Sequence, residues 1–331
     1  MLGRVPCQER ILGDDYVANI RTIAEMTGVS KSTVSRVINN EKYVSNEIRE
    51  KVQKAIEETN YVSNGNAVKL SKGKNYTLGV TLPYNNSCYD ELVNSILYQA
   101  KVNGYQVLLL PTYYEEETES NYYALLEKKM IDGLILTSRA KDLNNLEKLN
   151  LKGKVISTEK INSHQFSMIY PDRKSAYDRL FLDLYRQGVS KIMFTTKREA
   201  AKSQSTRDKV ESYEHYFGEA VEGVNYFTGV EGYTGGYNWA IEIGKSRTIS
   251  GFIYANGDDT AAGIISGMEE VGLVHKKDFQ VVGEGNLPYS RLLNFSTIDF
   301  LPKDIGKSVV DFILSGNEKI NQSKEPKIIR R

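Results

Sequence analysis

Apolar residues recur along this chain in two rhythms. In the first sixty or so residues the rhythm is helical. Ile20, Ile23 and Ala24 fall at i, i+3 and i+4, one face of a helix. Asn19 stands where an N-cap belongs, and Thr22-x-x-Glu25 matches a capping box one turn later. Gly28 follows the last periodic residue and supplies a sharp turn. Ser30 caps a second helix, with Val34, Val37 and Ile38 inward and Lys31, Ser32, Ser35 and Arg36 outward; Asn39-Asn40 ends it. Ser45 caps a third, with Ile48, Val52, Ala55 and Ile56 inward and Arg49, Lys51 and Lys54 outward. Three short helices with a glycine turn between the first two form a helix-turn-helix plan.

From Tyr76 the rhythm changes: short apolar runs alternate with helix-length periodic segments. The runs predict strands at Thr77–Leu82, Gln106–Leu110, Leu134–Thr137, Lys154–Ser157, Ser167–Tyr170, Lys191–Thr195, Gly251–Tyr254 and Gln280–Gly283. Helices are predicted near 90–103, 119–129, 174–187, 206–217, 234–244 and 258–271. Alternating strand and helix implies parallel sheets covered on both faces, with ligands beyond the carboxyl ends of the strands.

At 331 residues the chain has room for two to three domains. It is 40% hydrophobic and 26% charged, a globular composition. Two cysteines, Cys7 and Cys88, make no disulfide framework and fit a reducing compartment. Its longest apolar runs, such as Val107–Pro111, are too short to cross a bilayer, and Arg4, Glu9, Arg10, Asp14 and Asp15 stand where a signal peptide needs an apolar stretch. A cytoplasmic location is expected. Net charge is +1, which by itself names no partner. Its distribution is informative, because residues 17–75 hold ten Lys/Arg against six Glu and no Asp, while 76–331 hold 31 basic against 33 acidic residues. A basic head suggests an anionic polymer, against the plainer reading of a solvated basic surface.

The second helix favours DNA. Its outer face is small and polar at the N-terminus with a long basic residue a turn later, which suits a helix entering the major groove. Lys31 and Arg36 can reach guanine O6/N7 and Ser32 can donate or accept, while Ser30, Thr33, Ser35 and backbone N–H groups hold phosphates. A three-helix module that binds protein is the alternative; so polar a face offers it little apolar area.

Asn19-Ile-Arg-Thr-Ile-Ala-Glu-Met-Thr-Gly-Val-Ser-Lys-Ser-Thr-Val-Ser-Arg-Val-Ile-Asn39, followed by Tyr43-Val-Ser-Asn-Glu and Tyr61, resembles the DNA-binding domain of lactose-repressor/galactose-repressor (LacI/GalR) transcription regulators. The Gly-Val-Ser-x-x-Thr-Val-Ser-Arg-Val core is its most specific part, and the resemblance runs over nearly the whole chain from Asn19. It implies that Asn19, Asn39 and Tyr43 join the DNA contacts, and that residues 17–62 are the head. Residues 63–75 would be a hinge that folds on operator DNA, with Leu70 wedged into the minor groove, Ala67 against its partner copy and Gly73 ending the helix. So short a helix, about 66–71, is unstable alone, and Ser63 stands where the family usually has proline. A plain flexible linker is the other reading. Residues 1–16 do not fit the family and are read as a non-native extension, with Val17 as the natural start.

For residues 76–331 the resemblance implies a periplasmic-binding-protein-like (type I) core of two doubly wound parallel-sheet subdomains: 76–187 plus 300–316, and 188–299 plus 317–331. An effector would lie in the cleft between them. By motif, Arg207 matches the family's effector-binding arginine, and Asp258, in Gly257-Asp-Asp-Thr-Ala-Ala-Gly263, matches the Asp of its Asn-Asp-x-x-Ala-x-Gly stretch. Tyr89 and Tyr233 are stacking candidates for a sugar face, and Asp172 follows the fifth strand. Departures matter. Gly283-Glu-Gly-Asn286 lacks the family's sugar-binding Asp, so Glu284 or Asn286 is expected to substitute. Surface or packing roles remain open for each of these residues.

Catalytic readings fare poorly. His164, His215 and His275 are dispersed without metal-ligand spacing, and there is no nucleophile elbow or P-loop. Neither catalytic residue, metal nor cofactor is expected. The expected protein is a homodimeric repressor that binds double-stranded operator DNA and answers to a small-molecule effector, a sugar or sugar phosphate, without a membrane partner. Two alternatives stay open: a global carbon-catabolite regulator responding to a phosphoprotein corepressor, and a sugar-binding receptor with no DNA role.

Overall fold

The protein was analysed as a computed structural model, which describes residues 18–61, 73–140, 154–162, 166–246 and 251–331. The extension at 1–16, the hinge helix near 66–71, and with it Ala67 and Leu70, lie outside the described residues. The chain divides into two compact units between Asn75 and Tyr76.

The small unit is built from α1 (Ile20–Thr27), α2 (Lys31–Ile38) and α3 (Asn46–Glu58). Each starts on a side-chain cap. The Asn19 side chain accepts from the Arg21 and Thr22 amides, and the Thr22 hydroxyl answers the Asn19 N–H, so the capping box begins at Asn19 rather than at Thr22. Ser30 and Ser45 accept from the Thr33 and Ile48 amides. At Gly28 φ is +67°, a left-handed C-cap that costs a glycine little. Ile23, Val34 and Val52 are fully buried and, with Ala24, Val37 and Ala55, form the centre where the three helices meet.

The large unit holds two six-stranded sheets. The first uses β1 (Thr77–Leu82), β2 (Gln106–Pro111), β3 (Gly133–Leu136), β4 (Val155–Ser157), β5 (Ser167–Pro171) and β11 (Asn321–Lys324), in the order β11-β5-β4-β3-β1-β2, all parallel. The second uses β6 (Ile192–Thr196), β7 (Tyr226–Thr228), β8 (Gly251–Tyr254), β9 (Phe279–Glu284), β10 (Ser296–Asp299) and β12 (Lys327–Ile329), in the order β12-β10-β9-β8-β6-β7. Only the edge strand β12 runs antiparallel.

Helices α4 (Ser87–Val102) and α11 (Pro302–Ser315) pack together over one face of the first sheet, where Ile96, Val309 and Val310 meet Leu78, Val80 and Ile135. Tyr123 of α5 (Glu116–Glu127) is buried in the core on which Leu134, Leu136 and Met168 also converge. On the second sheet, α6 (Arg173–Arg186) and α7 (Gln204–Phe217) share one core, and α8 (Gly232–Ser246) and α9 (Asp258–Glu270) another. The α8–α9 contact is close because it is lined with glycine. A Cβ on Gly263 would fall 2.0 Å from the Tyr233 carbonyl oxygen, and one on Gly236 would fall 2.3 Å from that of Thr260. A short α10 (Pro288–Leu292) follows β9.

Lobe membership differs from the expected division in two places. α6, expected with the first subdomain, packs with the second: its Tyr177, Leu180, Phe181 and Leu184 share a core with Phe194, Tyr213 and Tyr254. Residues 321–324, expected with the second, pair with β5 in the first sheet. The chain therefore passes between lobes at 171–173, 299–302 and 324–327, not near 187–191 and 317. The apolar face of α6 fits either sheet on periodicity alone, and β11 is polar and held by backbone pairing, so neither assignment is written in an apolar pattern.

Candidate functional site

On the head, Lys31, Ser32, Arg36 and Asn39 are exposed, and Ser30 at the cap of α2 lies exposed beside them. Ser35 and Thr33 are half-buried, and Tyr43 is 93% exposed. Among the described residues Arg36 has one loose ion-pair partner, Glu41 at 3.8 Å, so its guanidinium is available. Other predicted residues already serve the fold. The Ser30 hydroxyl lies 2.7 Å from that of Ser32 and 2.8 Å from that of Thr33, and Asn39 donates to the Ser35 carbonyl at 2.9 Å. Arg49, read from sequence as merely outward, pins the turn after α2 by donating to Asn40 Oδ1 at 2.8 Å and to the Glu41 carbonyl at 2.7 Å. This fixes α2 as a rigid, basic, exposed helix.

In the large unit, two adjoining cavities of about 350 and 210 Å³ open between the lobes at the carboxyl ends of the parallel strands. Glu159, Arg173, Arg198 and Ser203 line both. Asp172 and Arg207 line the larger; Tyr89 and Glu284 line the smaller.

These four predicted residues are not equally free. Asp172 caps α6, accepting from the Ser175 amide at 3.2 Å. Arg207 spends its fork on the Ala200 carbonyl at 2.7 Å, the Ala201 carbonyl at 3.2 Å and Gln204 Oε1 at 2.9 Å. Glu284 is tied 2.7 Å from Lys209 Nζ; the lysine is buried and the glutamate nearly so. Burial pushes the Lys209 ammonium down from its usual range while Glu284 opposes the shift, and the Lys209 Nζ lies 4.1 Å from the centre of the Tyr254 ring.

Three predicted residues line neither cavity. Tyr233 is half exposed on α8, its ring stacked with that of Tyr237. Asp258 is fully buried: its carboxylate accepts from the Thr297 hydroxyl at 2.6 Å and the Leu287 amide at 2.7 Å. Burial raises its pKa to about 6, with these hydrogen bonds pulling the other way. It staples α9 to β10. Asn286, with φ +52°, donates to Asp299 and accepts from Arg331, both at 3.2 Å.

Sequence reasoning missed the strongest charges of the cleft. Arg139, Glu159, Arg173 and Arg198 follow β3, β4, β5 and β6 within three residues of each strand's end. That placement was the available signal. Arg173 lies 4.0 Å above the Phe300 ring and Arg198 4.1 Å above the Tyr114 ring, the latter reaching from the second lobe to the first. Glu159 is pushed above the usual carboxylate range by burial, against the pull of Arg139, Arg173 and Arg198. The lobes also touch directly. Glu231, at the start of α8, accepts from Tyr84 at 2.5 Å and Asn86 at 3.3 Å, and Ser87 donates to Asp259 at 2.8 Å.

An exposed helix-turn-helix face and a two-lobed cleft define a ligand-responsive DNA-binding regulator, and similarity to known proteins agrees. Residues 19–64 match the family of bacterial regulatory proteins of the lacI type, and residues 75–325 match the periplasmic binding proteins and sugar-binding domain of the LacI family. The chain belongs to the LacI family: it is a DNA-binding repressor with an effector-binding domain. It is 37% identical over 302 residues to catabolite control protein B of Bacillus subtilis (strain 168), covering 90% of this chain and 94% of that one. Its fold matches the lac repressor dimer bound to operator and the anti-inducer ONPF, with TM-score 0.80, 20% identity, and coverage of 96% of this chain and 98% of that one. It also matches a LacI family regulator from Lactobacillus casei with bound glucose, with TM-score 0.68, 16% identity, and coverage of 77% and 98%. The family consists of transcription regulators. Among the described residues no helix is long and apolar enough to cross a membrane.

Proposed function

We propose that two copies of this chain bind the two halves of an operator, with Lys31, Ser32 and Arg36 reading bases from α2 and Asn19, Ser30, Thr33, Ser35, Asn39 and Tyr43 holding the backbone. A small molecule in the interlobe cleft changes the relation of the lobes and thereby operator affinity, in the cytoplasm. The observation that carries this reading is one chain with both an exposed basic recognition helix and a cleft at the carboxyl ends of two parallel sheets. Homodimerisation is supported by the dimeric state of the lac repressor structure and by an apolar face on the first lobe, where Leu97, Tyr98, Val102, Leu108 and Leu109 are exposed. Residues 63–75, with Ala67 and Leu70, are the segment proposed to couple head to core.

The test is operator selection from genomic fragments followed by titration with candidate metabolites. A preferred sequence whose affinity shifts with one metabolite is the expected result; equal affinity for random duplex refutes the reading. The relative's name, catabolite control protein B, favours a second reading, in which a phosphoprotein corepressor sets operator affinity. Dependence on that protein and on no metabolite would select it.

A further inference from the structure

The cleft has more positive charge than its own carboxylates can balance. Seven Lys/Arg and four Asp/Glu line the larger cavity. Several of the lysines are already satisfied: Lys174 lies 2.8 Å from Asp178 and Lys202 lies 3.3 Å from Glu199. Arg139, Arg173 and Arg198 are different. Among the described residues none of the three forms an ion pair. Arg173 lies over the Phe300 ring and Arg198 over the Tyr114 ring, and their hydrogen bonds to the Tyr177 and Tyr114 hydroxyls supply no neutralising charge.

Two consecutive residues after β3 hold unsatisfied donors: among the described residues, neither the buried Arg139 Nε, on the larger cavity, nor the hydroxyl of Ser138, a residue 4% exposed on the smaller one, has a hydrogen-bond acceptor. Unsatisfied buried donors are rare and call for an acceptor. Glu159 feels the charge of all three arginines. One carboxylate cannot neutralise three guanidiniums, whereas an oxyanion accepts forked, charge-assisted bonds from each.

We propose that the ligand of this cleft carries an oxyanion, a phosphate or a carboxylate on a polyol, seated among Arg139, Arg173 and Arg198 with Ser138 beside it. The inference rests on the reading of the cleft as the effector site and narrows the ligand class. The larger cavity, about 350 Å³, lies within the roughly 300–1,000 Å³ of small-molecule sites.

The test is calorimetric titration of the full chain with glucose, gluconate, glucose 6-phosphate and inorganic phosphate, each repeated in an operator-binding assay. At least one anionic sugar should bind about ten-fold or more tighter than glucose, and added salt should weaken it. Preference for glucose 6-phosphate assigns a phosphate, and preference for gluconate assigns a carboxylate. Arg139→Gln and Arg198→Gln should each reduce that affinity about ten-fold with unchanged melting temperature. Glucose binding as tightly as both anionic sugars, or no anion binding at all, overturns the proposal. If glucose alone shifts operator affinity, the effector reading stands and the oxyanion falls. Arginine-dependent anion binding that leaves operator affinity unchanged does the reverse.

Discussion

The hydroxyl of Tyr84, in the first lobe, donates a 2.5 Å hydrogen bond to Glu231 of the second. Asn86 donates to the same oxygen at 3.3 Å, and Lys197 sits 3.1 Å from it. One carboxylate thus gathers groups from both sides of the cleft and favours a docked arrangement of the lobes. A hydrogen bond to a charged group contributes about 1.5–3 kcal/mol. Tyr84→Phe and Glu231→Gln should each loosen the docked arrangement, seen as a larger radius of gyration in solution scattering. Their effects on melting should be coupled in a double-mutant cycle. Strict additivity would show that the contact carries no energy.

Asp258 is expected to matter for folding and not for ligand recognition. Removing its carboxylate in Asp258→Ala orphans the Leu287 amide and the Thr297 hydroxyl. At about 1–3 kcal/mol for each buried unsatisfied group, a loss of roughly 2–6 kcal/mol should follow, read from denaturant unfolding, with ligand affinity retained in the folded fraction. A stable variant that no longer binds ligand would return Asp258 to the site.

The same residue gives a pH dependence of known sign. Burial raises the folded-state pKa of Asp258 to about 6 from an ordinary 3.8. Its proton is therefore held more tightly in the folded chain. The stabilising contribution is fully present below about pH 4 and is lost as pH rises through about 6; its ceiling is about 3 kcal/mol. Between pH 7 and pH 5 the melting temperature of the wild type should gain more than that of Asp258→Asn. Parallel profiles would contradict the assignment.

Arg36 is exposed on α2, with Glu41 at 3.8 Å as its one ion-pair partner among the described residues. Arg36→Ala should reduce discrimination between operator and random duplex by about 1–3 kcal/mol, leaving weak, salt-sensitive binding. Competition binding at fixed salt measures this. Undiminished discrimination would remove Arg36 from base reading.

Arg207 braces the Ala200–Lys202 turn through two carbonyls and Gln204. Arg207→Ala should leave operator binding intact and weaken the response to ligand by displacing that wall of the cavity. Arg207→Lys should not rescue it, because a point charge cannot reproduce the fork. Full rescue by lysine would point to charge alone.

The head was almost wholly legible, because caps and a helical apolar period specify it: Asn19, Ser30 and Ser45 start helices where expected. In the core, Thr77–Leu82 and Gly251–Tyr254 match the expected strands. Strands Tyr226–Thr228, Ser296–Asp299 and Asn321–Lys324 carry too few apolar residues to signal themselves, and helix Pro302–Ser315 was not drawn from its pattern. The site was read less well. Motif matching selects Asp258, and the missing family Asp suggests Asn286 as a substitute; the polar atoms of both are turned to internal partners. Motif matching passed over Arg139 and Arg198, which line the cleft and among the described residues form no ion pair, a property of three dimensions. Tyr233 lines neither cavity, and a helix start does not say which side faces the cleft.

The glycine-lined seam between α8 and α9 has a mechanical consequence. Backbone laid against backbone at Gly236 and Gly263, beside a side-chain core, fixes the spacing of the two helices and leaves that seam little room to yield. A ligand that shifts the lobes should therefore turn the second as a stiff lever arm, its stroke set at the three connecting segments.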